Sequence, residues 1–191
     1  MFWALLALPL FVTLETALLG SLEHRSDQWK HLFSQPLPRW AVYAAKQAAS
    51  MALVGLSLVA LAGFIVGAGL ILRVVKPEIG LGPAVPWVLL LEYTGLVYLG
   101  SWLLTSIQTW VAIRWSSFAV ASAVGIVMTI TGVLVISSEW GRFYPWALPA
   151  LLFSKFADEG VLRWAELLVG SLGGIVAAIA GGWEFTRRDV L

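Results

Sequence analysis

The chain has 191 residues, of which 60% are hydrophobic and 12% charged. Its mean hydropathy of +0.87 excludes a soluble globular domain and indicates an all-α integral membrane protein. A net charge of +1 without a basic stripe excludes a nucleic-acid partner, and the absence of cysteine excludes disulfides, thiolate nucleophiles and cysteine-ligated metals.

Crossing about 30 Å of hydrocarbon takes roughly 20 apolar residues in a helix. The first segment that qualifies is Phe2 to Leu22. It lacks a basic leader and Glu15 interrupts it, so it reads as a spanning helix and not as a signal peptide. Glu15 stands beside Thr13 and Thr16, about two turns from the end of this helix.

The following stretch, EHRSDQWKHLFSQPLPRWAVYAAK, is polar, basic and broken by Pro36 and Pro38. In a helical projection Leu22, Trp29, Leu32 and Phe33 share one side, while Glu23, Arg25, Asp27, Lys30 and His31 fill the rest. A short amphipathic helix between two spans either lies in the headgroup layer or presents a knob to a groove in a cytosolic partner. Composition leaves both uses open.

The second span, Tyr43 to Leu72, is long enough to tilt or to project beyond the membrane, and it carries Gly55, Gly63 and Gly67. The third runs from Trp87 to Thr109, with Glu92 just over one turn from its outer end. Glu15 and Glu92 therefore lie at different depths and form no carboxylate dyad. Each is suited to an interhelical hydrogen bond or to contact with a solute in a wet pathway.

The fourth span is Ser117 to Ser137. After it YPWALPALLFSKF, Tyr144 to Phe156, is apolar but too short to cross, and Pro145 and Pro149 deny it a regular helix interior. It is expected to be re-entrant or to lie on the surface. The last span, Leu162 to Trp183, has Gly170, Gly174, Ala178 and Gly182 at four-residue intervals beside Gly173, Ala177 and Gly181. Such small residues let another backbone approach, within the chain or across a dimer.

Most of the tryptophans fall near span ends, where an amphipathic ring occupies the headgroup layer. With five crossings, Arg25, Lys30, Arg39, Lys46, Arg114, Arg187 and Arg188 share one side. The other side holds Arg73, Lys76, Arg142, Lys155 and Arg163. The excess at the 23–46 loop and the C-terminus assigns both to the cytoplasm of a multi-pass plasma-membrane protein.

The sequence has no HExxH, GxSxG or GxxxxGK[ST] motif, and His24 and His31 are too far apart to share a metal as an i, i+4 pair does. Nothing marks the chain as an enzyme. Energy for moving a solute must come from an ion gradient or another polypeptide.

The loop residues Trp29, Lys30, Leu32, Pro36, Arg39 and Lys46, the terminal WEFTRRDVL and the external YPWALPALL together resemble the permease subunits of ABC-2 type transporters, in particular those of lantibiotic (bacteriocin) immunity and export. The resemblance covers essentially the whole chain as one transmembrane domain, residues 1–191. It implies a family fold of six spans, a cytosolic N-terminal helix, a coupling helix after the second span and a re-entrant element before the sixth. Phe2 to Leu22 corresponds to the second span, so the family's N-terminal helix and first span are expected upstream of Met1.

The resemblance further implies a second permease subunit and a cytosolic ABC ATPase, the latter carrying the ATP and magnesium; no cofactor is expected in this chain. Trp29 and Phe33 would anchor the coupling helix in the ATPase groove, and Glu23, Asp27, Lys30 and Arg39 would be rim charges. The cargo would be an amphipathic peptide, drug-like or lipid-like solute. The alternative is a scaffold, or an ion-coupled carrier in which Glu15 or Glu92 takes up protons and no ATPase is needed.

Overall fold

The computed structural model describes residues 2–25, 38–79, 84–115, 117–159 and 162–187. Among them there is no strand, and five helical segments are long and apolar enough to cross a membrane: Trp3–Ser21, Arg39–Val75, Trp87–Arg114, Phe118–Val135 and Trp164–Arg187. The five spans expected from the sequence are thus present, with ends shifted by a few residues.

The first span opens with a wide π-helical turn, Trp3–Ala7, in which the Leu8 amide donates to the Trp3 carbonyl. Pro9, lacking an N–H, follows at once, so the chain tightens into helix α1 (Leu8–Arg25) where a regular hydrogen bond would be lost anyway. Helix α2 (Arg39–Val75) starts directly after Pro38 and stops at Pro77. At 37 residues it is about 55 Å long. Its buried residues all lie between Tyr43 and Leu58, so the C-terminal half runs along the edge of the bundle.

The third span is two helices, α3 (Trp87–Gly100) and α4 (Trp102–Arg114), joined through Ser101. Helix α4 is the centre of the molecule. It packs against α1, α2, α5 (Phe118–Val135) and, most extensively, α7 (Trp164–Arg187). Ser117 caps α5 by accepting from the Val120 amide at 3.4 Å.

The YPWALPALL segment turns at Tyr144 and continues as α6 (Leu148–Glu159). Trp146 to Ala150 are buried inside the bundle, which distinguishes the inserted arrangement from one lying on the surface. Pro149 falls in the first turn of α6, where no intrahelical donor is needed. Leu8, Val12, Val54, Leu58, Val97, Leu104 and Trp146 form the main apolar cluster, joining α1, α2, α3, α4 and the inserted turn.

Close approach of backbones fixes the crossing of α7 over the α3–α4 junction. A Cβ on Gly170 would stand 2.9 Å from the Gly100 Cα, and one on Gly174 would stand 2.6 Å from the Trp102 carbonyl carbon. Gly182 lies against the Tyr43 ring, at 3.2 Å by the same measure. Gly63 and Gly67 differ: a Cβ on either would meet nothing within 4 Å. The neighbour expected for them is therefore not supplied by the described residues, because they lie on the part of α2 that has left the bundle.

Candidate functional site

Spans in hydrocarbon gain little from burying leucine, so enclosed polar groups are the informative residues. Among the described residues they concentrate where α1, α2 and α4 meet. Gln108 is fully enclosed and donates through Nε2 to the Ala121 carbonyl at 2.9 Å, tying α4 to α5. Gln47 donates to the Ser106 hydroxyl at 2.9 Å, tying α2 to α4. Thr13, Thr16, Thr105 and Thr129 bond back to carbonyls of their own helices, which satisfies their hydroxyls without a partner helix.

Glu15 lies in this layer, 7% exposed, and neither carboxylate oxygen accepts a hydrogen bond. The register of α1 against α2 locates its neighbour. Val12 shares a cluster with Val54, and Lys46 donates to the Leu19 carbonyl at 2.9 Å. Ser50, one turn from each of Lys46 and Val54, therefore comes level with Glu15. Its hydroxyl is also enclosed and without a partner. Glu92, by contrast, is exposed on α3. The two carboxylates differ in surroundings as well as in depth.

Beside this layer, α2, α4 and α7 enclose a groove of about 730 Å³. It runs from Trp40 and Trp183 at one end to Met51, Trp102 and Gly174 at the other. Among its polar groups, Gln47 Nε2 donates to the Ser106 hydroxyl and the Thr186 hydroxyl donates to the Trp183 carbonyl at 2.8 Å, whereas Tyr43 Oη, Gln47 Oε1 and Trp102 Nε1 are enclosed without a partner. Behind the groove, Glu184 accepts from Trp110 Nε1 at 2.6 Å and approaches Arg114 at 3.9 Å, linking the last turns of α7 and α4. The sequence reading passed over Gln47, Ser106, Gln108 and Glu184. The run LTSIQTW in the third span was the visible signal for the two on α4, because four polar residues there span more than one helix face.

At the opposite end of the bundle a second cavity of about 520 Å³ is polar, with Ser138, Glu139, Arg142, Arg163 and Glu166 among its lining residues. Glu166 is 7% exposed and its carboxylate accepts from Arg163 Nη1 at 3.3 Å. The arginine is partly in solvent, so the pair is weaker than an enclosed one. Arg163→Ala is expected to destabilise the fold by about 1–2 kcal/mol, because it strands an enclosed carboxylate. Glu166→Gln should be milder, and thermal unfolding of the two variants in detergent orders them.

Of the residues assigned to ATPase coupling, Asp27, Trp29, Lys30 and Phe33 lie outside the described residues. Glu23 belongs to the last turns of α1, and Arg39 is the first residue of α2. The loop they bound thus connects two helices that both contribute to the polar layer. Among the described residues no group of three His, Cys, Asp or Glu side chains is placed to hold a metal.

In a comparison with protein families, residues 1–132 match the model of the ABC-2 family transporter protein. No curated protein and no solved structure matches the chain.

Proposed function

The chain belongs to the ABC-2 family of transporters, and we propose that it is the membrane-spanning half of a pump driven by a separate cytosolic ABC ATPase. The observation that carries this reading is the family match, which covers α1 to α4 and most of α5 and includes the whole loop between α1 and α2.

In this reading two permease subunits line one pathway, and an ATPase grips the segment from Glu23 to Arg39 of each. Trp29 and Phe33 fill its groove, while Glu23, Asp27, Lys30 and Arg39 set the register. ATP and magnesium are held by the ATPase. Its closure pushes the loop, and because α1 and α2 leave that loop directly, the push reaches the layer around Glu15 and Ser50 as a rigid-body movement of helices. Gly63 and Gly67 of α2, where a Cβ would meet nothing within 4 Å, suit contact with the second permease. The 23–46 loop and C-terminus face the cytoplasm, and the cargo is an amphipathic peptide, drug-like or lipid-like molecule.

A specific observation favours a second reading. Glu15 is enclosed in the membrane without a cation or hydrogen-bond donor on its carboxylate, as a proton-coupled carrier would require.

One experiment separates the two. The chain is expressed with the ABC ATPase encoded beside it, purified through a tag on the permease, and reconstituted. Co-purification of the ATPase and transport that stops without ATP are expected. Absence of both, together with transport driven by a proton gradient and abolished by Glu15→Gln, would overturn the pump and establish the carrier.

A further inference from the structure

We propose that the polar cavity formed by the turn after α5, by α6 and by the start of α7 binds the phosphoethanolamine headgroup of a phospholipid. Glu139 takes the ammonium and Arg142 the phosphate.

Depth places this cavity among headgroups. Helix α5 has 18 residues and rises about 27 Å, close to the roughly 30 Å of hydrocarbon. The turn Glu139–Phe143 begins just beyond its end, and Trp140 and Phe143 on that turn are 78% and 51% exposed. An indole ring so exposed at the end of a span belongs to the interfacial layer.

The charges on the turn are opposite and unpaired. Glu139 and Arg142 stand three residues apart in a 3-10 turn, so their side chains project in the same direction, about 6 Å apart along its axis. Both line the cavity. They form no ion pair with each other, and among the described residues neither side chain makes a hydrogen bond or ion pair elsewhere. The Arg142 guanidinium lies over the Phe143 ring at 4.8 Å, a face contact that leaves its N–H edge for an oxyanion. The other carboxylate lining the cavity, Glu166, is engaged by Arg163 at 3.3 Å.

Opposite charges held apart within one turn select a ligand that carries both. A lone anion on Arg142 would be repelled by Glu139, and a lone cation on Glu139 by Arg142. A phosphate joined to an ammonium through two carbons bridges the pair. The Ser138 and Ser154 hydroxyls donate to the Val135 and Leu151 carbonyls and keep lone pairs that accept from an ammonium N–H. A trimethylated ammonium has no N–H to give. The volume of about 520 Å³ falls within the roughly 300–1,000 Å³ of small-ligand sites. Free phosphoethanolamine shares this chemistry, but a site at headgroup depth beside an exposed tryptophan favours the lipid.

The test titrates the full chain in detergent with phosphatidylethanolamine, phosphatidylcholine and phosphatidylglycerol of identical acyl chains, counting bound lipid by native mass spectrometry. Phosphatidylethanolamine is expected to bind at least about tenfold more tightly than either of the others, as one charged hydrogen bond warrants. Glu139→Gln should bring it down toward the phosphatidylcholine level. Arg142→Gln should weaken all three lipids, since each carries the phosphate, while ethanolamine stays ahead of choline. Ser154→Leu, which fills the cavity from α6, should abolish the preference without touching the charged turn. Soluble phosphoethanolamine should displace the lipid only in large excess.

Equal binding of the three lipids, or a full preference retained by Glu139→Gln, would overturn the proposal. Displacement by an equimolar amount of soluble phosphoethanolamine would overturn the lipid as its source. Neither an ATPase nor transport enters the measurement, so its outcome is separate from that of the pump.

Discussion

Gly174→Leu is expected to lower the stability of the purified protein by at least about 3 kcal/mol, the upper end of what overpacking usually costs. A Cβ at this position would come within 2.6 Å of the Trp102 carbonyl carbon and 2.7 Å of the Leu103 amide nitrogen. Those are backbone atoms of the central helix, which cannot rotate aside as the tip of a side chain could. Since α4 also packs on α1, α2 and α5, displacing it disturbs the whole bundle. The control is Gly67→Leu, where open space surrounds the new side chain within one subunit and the change should stay within about 0.5 kcal/mol. Thermal unfolding of monodisperse protein in detergent compares the two. Equal melting temperatures for Gly174→Leu and the native chain would refute the α4–α7 crossing. A fall for Gly67→Leu confined to dimeric protein would locate the second subunit on the C-terminal half of α2.

The second large effect is assigned to the loop. If Trp29 fills a pocket in the ATPase, Trp29→Ala should weaken the association by at least about 2 kcal/mol, or roughly 30-fold. The ATPase would be lost from the tagged permease during washing. Lys30→Ala, at the rim, should produce a smaller loss that grows as ionic strength falls. Both variants should keep the melting temperature of the isolated permease, which separates a contact residue from one the fold requires. Retention of the ATPase by Trp29→Ala at native affinity would remove this tryptophan from the interface.

Much of the architecture was readable from residue order, for reasons that are local. Every backbone group in hydrocarbon must be bonded within its own segment, so an apolar run of sufficient length can only be a helix. Pro38 and Pro77 end α2 through their own covalent geometry. The short, proline-interrupted YPWALPALL segment could not span, and burial inside protein is the state in which irregular backbone is tolerated at depth. The candidate site was less legible. Glu15 and Glu92 are the same residue type in comparable apolar runs, yet one is enclosed and the other exposed. The very weak amphipathicity of α1 and α3 gave no indication of which face turns inward.

What the sequence alone determined is the number and approximate extent of the spans, and the membrane as their solvent, because both follow from length, hydropathy and proline chemistry within single segments; the break of the third span at Ser101 and the helix α6 came only with the structure. The tertiary structure alone decided which small residues meet a neighbour and where polar groups collect. It packs Gly170 and Gly174 on the α3–α4 junction but leaves Gly63 and Gly67 open, and it brings Glu15 level with Ser50. In a bilayer the lipid is as apolar as a leucine face, so hydropathy carries no information about helix partners. Close backbone approach and the bonding of enclosed polar groups choose them instead, and both exist only once the helices are together.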